Sequence, residues 1–292
     1  MKIFDFSNYE LSNKAYGGSE KKLGVYINHE LYMLKFQKKT AFGFRFNTIS
    51  EYLGSHIYQM LGFECQKTFL GTYNGENVVA CKDFVSSDIQ FVPFNDIGES
   101  SIEEDKEKYQ YSYKDIMSLL NMNKKLTNVS ETISIFFEMY IVDALLGNFD
   151  RHGANWGFIK KDNKYFIAPI FDNGSCLYPN LTNEDEMLFI LNDEREINKR
   201  IYNFPTSQIK LNGKKSSYFD VISSLKFPEI NRALLKIYPL ISLDDIIELI
   251  DDIPIISDIH KEFYKIMIKS RYEKIIKYSF DKLKELESNE NK

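Results

Sequence analysis

The stretch from Met139 to Asp172 constrains this chain more than any other. Met139-Tyr140-Ile141-Val142-Asp143-Ala144-Leu145-Leu146 reads as an apolar helix, and Gly147-Asn148-Phe149 breaks it. Asp150-Arg151-His152-Gly153-Ala154-Asn155 then forms a loop, and Trp156-Gly157-Phe158-Ile159 a short apolar strand. Lys160 to Lys164 make a polar turn, and Tyr165 to Phe171 run as a second strand into Asp172-Asn173-Gly174. Helix, loop, hairpin and strand end together bring Asp150, Asn155 and Asp172 to one place.

An Asp, an Asn five residues later and a second Asp beyond a hairpin are the side chains that phosphoryl transfer uses. Asp150 can accept or orient the proton of an attacking hydroxyl, while Asn155 and Asp172 can hold Mg²⁺ against the phosphates of ATP. The Asp-x-x-x-x-Asn spacing alone is weak, since about one chance match is expected in such a chain. Asp143 and Asn148 share that spacing, but Asp143 lies within the helix. Each residue also has an ordinary explanation. Asp150 can end a loop, and Asn173-Gly174 is a turn signal by itself. His152 reads first as a brace that hydrogen-bonds the loop backbone, with proton transfer as the alternative. The combination and its order point to phosphotransfer.

The first ninety residues read as a small lobe of mixed strand and helix. Leu23 to Ile27 and Leu31 to Phe36 form a hairpin, and Thr48 to Leu61 a helix. Phe69 to Tyr73 and Val78 to Cys81 form a second hairpin around Asn74-Gly75. Ahead of the first hairpin, Gly17 and Gly18 with Ser19 allow a backbone to approach phosphate oxygens. Lys35 stands at the end of an apolar strand, where a charge needs a partner or an anion. Its functional reading is an ammonium on the α- and β-phosphates, with Glu51 as its helix partner. Thr48-x-x-Glu51 also has the spacing of a capping box, which would turn Glu51 back to the Thr48 amide. Cys81, Lys82, Asp83 and Phe84 leave this lobe as a hinge whose backbone could bind an adenine edge.

The spacing divides the chain into a first lobe over 1–84, an acidic insertion over 85–111, a helical lobe over 112–282 and a charged tail over 283–292. Helices are expected over Asn183–Arg200, Ser216–Ser224, Pro228–Ile237, Leu243–Asp251 and Asp258–Lys282. A net charge of −5 and a pI near 5.6 argue against a broad nucleic-acid surface. Cys65, Cys81 and Cys176 lie far apart without metal-ligand spacing and suit a reducing compartment. No secretory signal peptide or membrane-length apolar run is readable. The expectation is a cytoplasmic protein without membrane insertion, and export without a conventional leader is compatible with it.

Further segments carry a family likeness. They are Leu31–Phe36, Leu70–Tyr73, Val78–Phe84, Leu145–His152, Asn155–Phe158, Ile167–Asp172, Gly174–Pro179, Arg200–Pro205 and Ile259–Phe263. Together they resemble the HipA-like serine/threonine kinases across most of the chain. The resemblance implies an α+β, two-lobed protein-kinase-like fold with a small strand-rich first lobe and a mainly helical second. It implies ATP and Mg²⁺ as cofactors and a protein Ser/Thr acceptor as partner, the kinase itself included. By position it makes Asp150 the catalytic base, Asn155 and Asp172 metal ligands, and Lys35 the phosphate-binding lysine. Ser19 is then a candidate autophosphorylation site. Two other functions stay open at this point: a lipid or small-molecule kinase, since Asp-Arg-His-x-x-Asn also resembles the phosphoinositide-kinase loop, and a pseudokinase acting by protein binding.

Overall fold

The computed structural model describes residues 1–17, 21–41, 43–96, 112–122 and 126–290. The first lobe is built from β1 (Phe4–Asp5), β2 (Leu11–Ser12), β3 (Lys22–Ile27), β4 (Glu30–Phe36), the small hairpin β5 (Lys39–Thr40) and β6 (Gly43–Phe44), α1 (Asn47–Met60), β7 (Thr68–Tyr73) and β8 (Glu76–Lys82). Six of these strands form one sheet in the order β1-β7-β8-β4-β3-β2. Side chains alternate across its faces. Tyr32, Leu34 and Phe36 of β4 join Val78 and Ala80 of β8 in a cluster on the outer face. Met33 and Lys35 therefore face inward, where Val79 and Cys81 pack with α1 in the main core.

The second lobe is organised around α3 (Val129–Leu146), which follows α2 (Tyr113–Met122). From Phe136 to Leu146 every residue of α3 is buried, all of them uncharged except Glu138 and Asp143, so this half of the helix forms the lobe's axis. Gly147 ends it in the left-handed conformation, φ 62°, which needs no Cβ. A three-stranded sheet follows, made of β9 (Gln90–Pro93), β10 (Gly157–Lys161) and β11 (Lys164–Ile167). The span expected as an insertion thus supplies a strand and a 3₁₀ turn, Phe94–Asp96, while residues 97–111 lie outside the described part. The strand expected to run to Phe171 ends at Ile167, just before Ala168-Pro169, because proline offers no ladder donor.

The remaining elements are α4 (Glu184–Leu191), α5 (Glu194–Tyr202), β12 (Thr206–Leu211), β13 (Lys214–Ser217), α6 (Tyr218–Ser223), α7 (Pro228–Ile237), α8 (Leu243–Asp251), α9 (Asp258–Arg271) and α10 (Tyr278–Glu290), the last two joined by one wide π turn. The helix expected over Asn183–Arg200 is two helices. Asn183 caps the first, and Asp193 accepts from the Arg195 amide to start the second. The hairpin of β12 and β13 was missed, although Asn212-Gly213 at its turn is a strong hairpin signal. The expected charged tail is helical through Glu290. Among the described residues no helix is long and apolar enough to cross a membrane.

Candidate active site

Helix α1 lies where the lobes meet and contributes to both. Its Tyr58 hydroxyl shares its one proton between the Met139 carbonyl (3.0 Å) and Asp143 (2.8 Å). About two turns earlier, Glu51 accepts from Lys35 Nζ at 2.8 Å through Oε2 and from the Asn173 amide at 3.0 Å through Oε1. The capping-box alternative for Glu51 does not occur: α1 begins at Asn47 with no side-chain cap, and Glu51 is turned to Lys35 instead. Lys35 Nζ also reaches Asp172 Oδ1 at 2.9 Å. Burial works against the Lys35 ammonium, but Asp172 and Glu51 outweigh it and hold its pKa well above the usual value. Burial likewise opposes ionisation of Asp172, and the Lys35 charge, helped by Arg151, still keeps its carboxyl below the usual range.

The loop after α3 is held by residues that the sequence reading passed over. Arg151 is buried and forks onto Asp143, with Nε at 2.9 Å and Nη2 at 3.1 Å. The same guanidinium donates to Asn173 Oδ1 (2.6 Å) and to the carbonyls of Phe171 (2.6 Å) and Asn155 (3.0 Å). One arginine thus pins the Asp150–Asn155 loop to the Asp172 loop. Asn148 completes the frame, donating to Asp143 at 2.9 Å and accepting from the Asp150 amide at 3.0 Å. A charge inside an apolar helix was the available signal, because buried Asp143 requires a cationic partner. Gly54 matters to the same frame: a Cβ there would lie 2.6 Å from that of Asn173.

Asp150 projects into the cleft with its side chain 47% exposed. Asn155 Nδ2 donates to the Asp150 carbonyl at 2.8 Å, leaving Oδ1 as an acceptor. His152 Nδ1 accepts from the Ala154 amide at 3.2 Å, and its Nε2 lies 3.8 Å from Asp150 Oδ1. The ring therefore braces the turn. Asp172 adopts φ 57°, unusual for a residue with a side chain.

Lys35, Glu51, Asp150, His152, Asn155 and Asp172 line one cleft of about 740 Å³ between the lobes. Gly17, Asp83 and Phe84 line it too. Asp83 is clasped by the Tyr16 hydroxyl (2.8 Å) and Lys14 Nζ (2.7 Å). Phe84 packs with Phe91 and Phe171 at ring distances of 6.0 and 5.5 Å. Cys81 and Lys82 are not among the cleft residues. Cys81 is buried in the sheet, and Lys82 Nζ turns to Glu30 at 2.5 Å. Gly18 and Ser19 lie outside the described residues. Gly174, read in the sequence as part of a turn, also lines the cleft, as do Arg45 and Asn47, which had no signal in the sequence.

This architecture agrees with the comparisons. Residues 15–230 match the HipA-like C-terminal domain, and the chain belongs to that family. It is 39% identical over 287 residues to serine/threonine-protein kinase CtkA of Helicobacter pylori, covering 94% of this chain and 87% of that relative. The crystal structure of the H. pylori proinflammatory kinase CtkA matches with a TM-score of 0.90 at 37% identity, covering 98% of this chain and 99% of that one. HipA of Shewanella oneidensis, solved with HipB and operator DNA, matches with a TM-score of 0.55 at 14% identity. That match covers 92% of this chain and 67% of the other and is a likeness of fold alone.

Proposed function

We propose that this chain is a serine/threonine protein kinase that transfers the γ-phosphoryl group of Mg·ATP to a protein hydroxyl, its own included. The observation that carries this reading is the convergence of the Lys35–Glu51–Asp172 ion cluster with Asp150 and Asn155 in one cleft. The donor set suits the cation. Asn155 Oδ1 and the Asp172 carboxylate are two hard oxygen ligands, and Mg²⁺ is commonly held by one or two protein oxygens plus phosphates. When bound, Mg²⁺ would supply charge neutralisation on the phosphates.

The protein's own groups do the rest. Lys35, held by Glu51, sets an ammonium against the phosphate chain. Asp150 orients the acceptor hydroxyl, whose oxygen bonds the γ-phosphorus as the bridging P–O bond breaks. ADP departs with the bond electrons, and the hydroxyl proton passes to Asp150. The Arg151 clamp fixes Asp150 relative to Asp172, which is positioning rather than contact with substrate.

Transfer of labelled γ-phosphate to the protein itself and to generic protein acceptors tests the reading, with Asp150→Asn in parallel. Phosphoserine or phosphothreonine with the wild type alone is expected. Equal labelling by Asp150→Asn would remove Asp150 from its role. Nucleotide binding without protein labelling would turn attention to a lipid acceptor or a pseudokinase.

A further inference from the structure

Cationic side chains that line the cleft include Lys14, Lys22, Lys35 and Arg45. Three of these have partners. Lys14 binds Asp83, Lys22 Nζ donates to the Gly17 carbonyl at 2.6 Å, and Lys35 holds Glu51 and Asp172. Arg45 differs. Its Nε is sealed from solvent without an acceptor, and its guanidinium makes no ion pair or hydrogen bond among the described residues. A sealed guanidinium nitrogen in that state opposes folding, since arginine stays charged and its Nε–H goes unmatched.

The backbone around Arg45 is fixed from both sides. The Arg45 amide donates to the Lys38 carbonyl and the Phe46 amide to the Pro179 carbonyl, each at 2.9 Å. The Phe46 ring sits edge-on against His260 of α9 at 3.9 Å between centroids. Asn47, at the start of α1, lies against Gly174, where an added Cβ would be 3.4 Å from the Asn47 carbonyl. Arg45 thus enters the cleft from a rigid segment seated on the loop that follows Asp172. Lys35 is deeper, 6% exposed, and already bound to carboxylates. Arg45 is the less buried of the two, and no carboxylate among the described residues holds it.

We propose that Arg45 is a catalytic residue whose guanidinium binds the terminal phosphate of the nucleotide and stays on the phosphoryl group during transfer. This rests on the kinase reading above. A planar fork of donors matches phosphate oxygens in a way that an ammonium does not. The group it contacts is absent from ADP, so Arg45 should distinguish ATP from ADP, whereas Lys35 should not.

Titration calorimetry of ATP and ADP with Mg²⁺ against wild type, Arg45→Met and Arg45→Lys tests this, with unfolding midpoints measured without nucleotide. Arg45→Met should weaken ATP roughly tenfold or more while leaving ADP within about twofold. The nucleotide-free variant should be as stable as wild type or more stable, because a buried unmatched donor is removed. Arg45→Lys should recover part of the ATP preference. Transfer by Arg45→Met should fall on the order of 10²-fold. Equal loss of ATP and ADP affinity, or no loss of either, overturns the proposal. A destabilised Arg45→Met whose ATP preference is intact overturns it as well. If the wild type binds neither nucleotide, the kinase reading itself fails and this inference falls with it.

Discussion

Of the three places where an Asn follows an Asp by five residues, the two copies that stand seven residues apart, Asp143/Asn148 and Asp150/Asn155, meet opposite fates. Asp143 and Asn148 are each 1% exposed, and both are engaged by hydrogen bonds within the frame. Asp150 turns into the cleft, and Asn155 keeps its oxygen free of the loop's own bonds. Arg151 connects them, taking its charge partner from the first copy and holding the Asn155 carbonyl of the second. Identical spacing therefore yields a scaffold in one place and a reactive surface in the other. What separates them is the helix end at Gly147, which leaves the first Asp inside α3 and releases the second into a loop.

The sharpest way to break this comparison is to exchange the roles by mutation. Asp150→Asn should leave the unfolding midpoint unchanged and reduce phosphate transfer by roughly 10²- to 10⁴-fold, the usual contribution of a general base. Asp143→Ala should do the reverse in kind, costing about 3–5 kcal/mol in a urea unfolding titration because Arg151 is left buried and unpaired. Asp143→Leu combined with Arg151→Met should regain much of that stability without regaining activity. If Asp143→Ala proved neutral to folding, the first copy would not be a scaffold.

A smaller effect comes from an enclosed titratable group with no such partner. His260 is 2% exposed, its Nε2 has no hydrogen-bond partner among the described residues, and burial lowers its pKa to about 4. An unfolded histidine takes up its proton near pH 6.5. Between those values the unfolded state binds more protons, so stability falls as pH drops through 6.5 towards 4. The loss from this residue should be about 2 kcal/mol at pH 5, and His260→Phe should flatten that part of a stability–pH curve. The smallest expected effect is that of Asn148→Ala. It removes the acceptor for the Asp150 amide and should cost about 1–2 kcal/mol, with a modest fall in transfer rate as the loop loosens.

How much of this was readable beforehand differs by region. The hairpin carrying Lys35, helix α1 and the break before Asp150 follow from local pattern, because alternation and helical spacing report which face is buried. The division at Asn192-Asp193 and the strand β9 were not read. A cap inside an acidic run looks like more helix, and β9 acquires its identity only by pairing with β10. Arg45 was invisible for a related reason: one arginine among aromatic and glycine residues has no periodicity to betray it.

Local sequence by itself determined where the chain must turn, which stretches are apolar, and that Asp150, Asn155 and Asp172 carry oxygen donors in a suggestive order. Tertiary structure alone decided which carboxylate would be locked away and which would face a ligand. Asp143 and Asp150 have the same chemistry and the same neighbour at the same spacing. Only the packing of α1 against α3, and the placement of one guanidinium between two loops, gave Asp143 a buried partner and left Asp150 in the cleft. Tyr58 and Asp143 stand 85 positions apart and Arg151 and Asn173 stand 22 apart, and the energies of such pairings depend on distances and burial that no local pattern encodes.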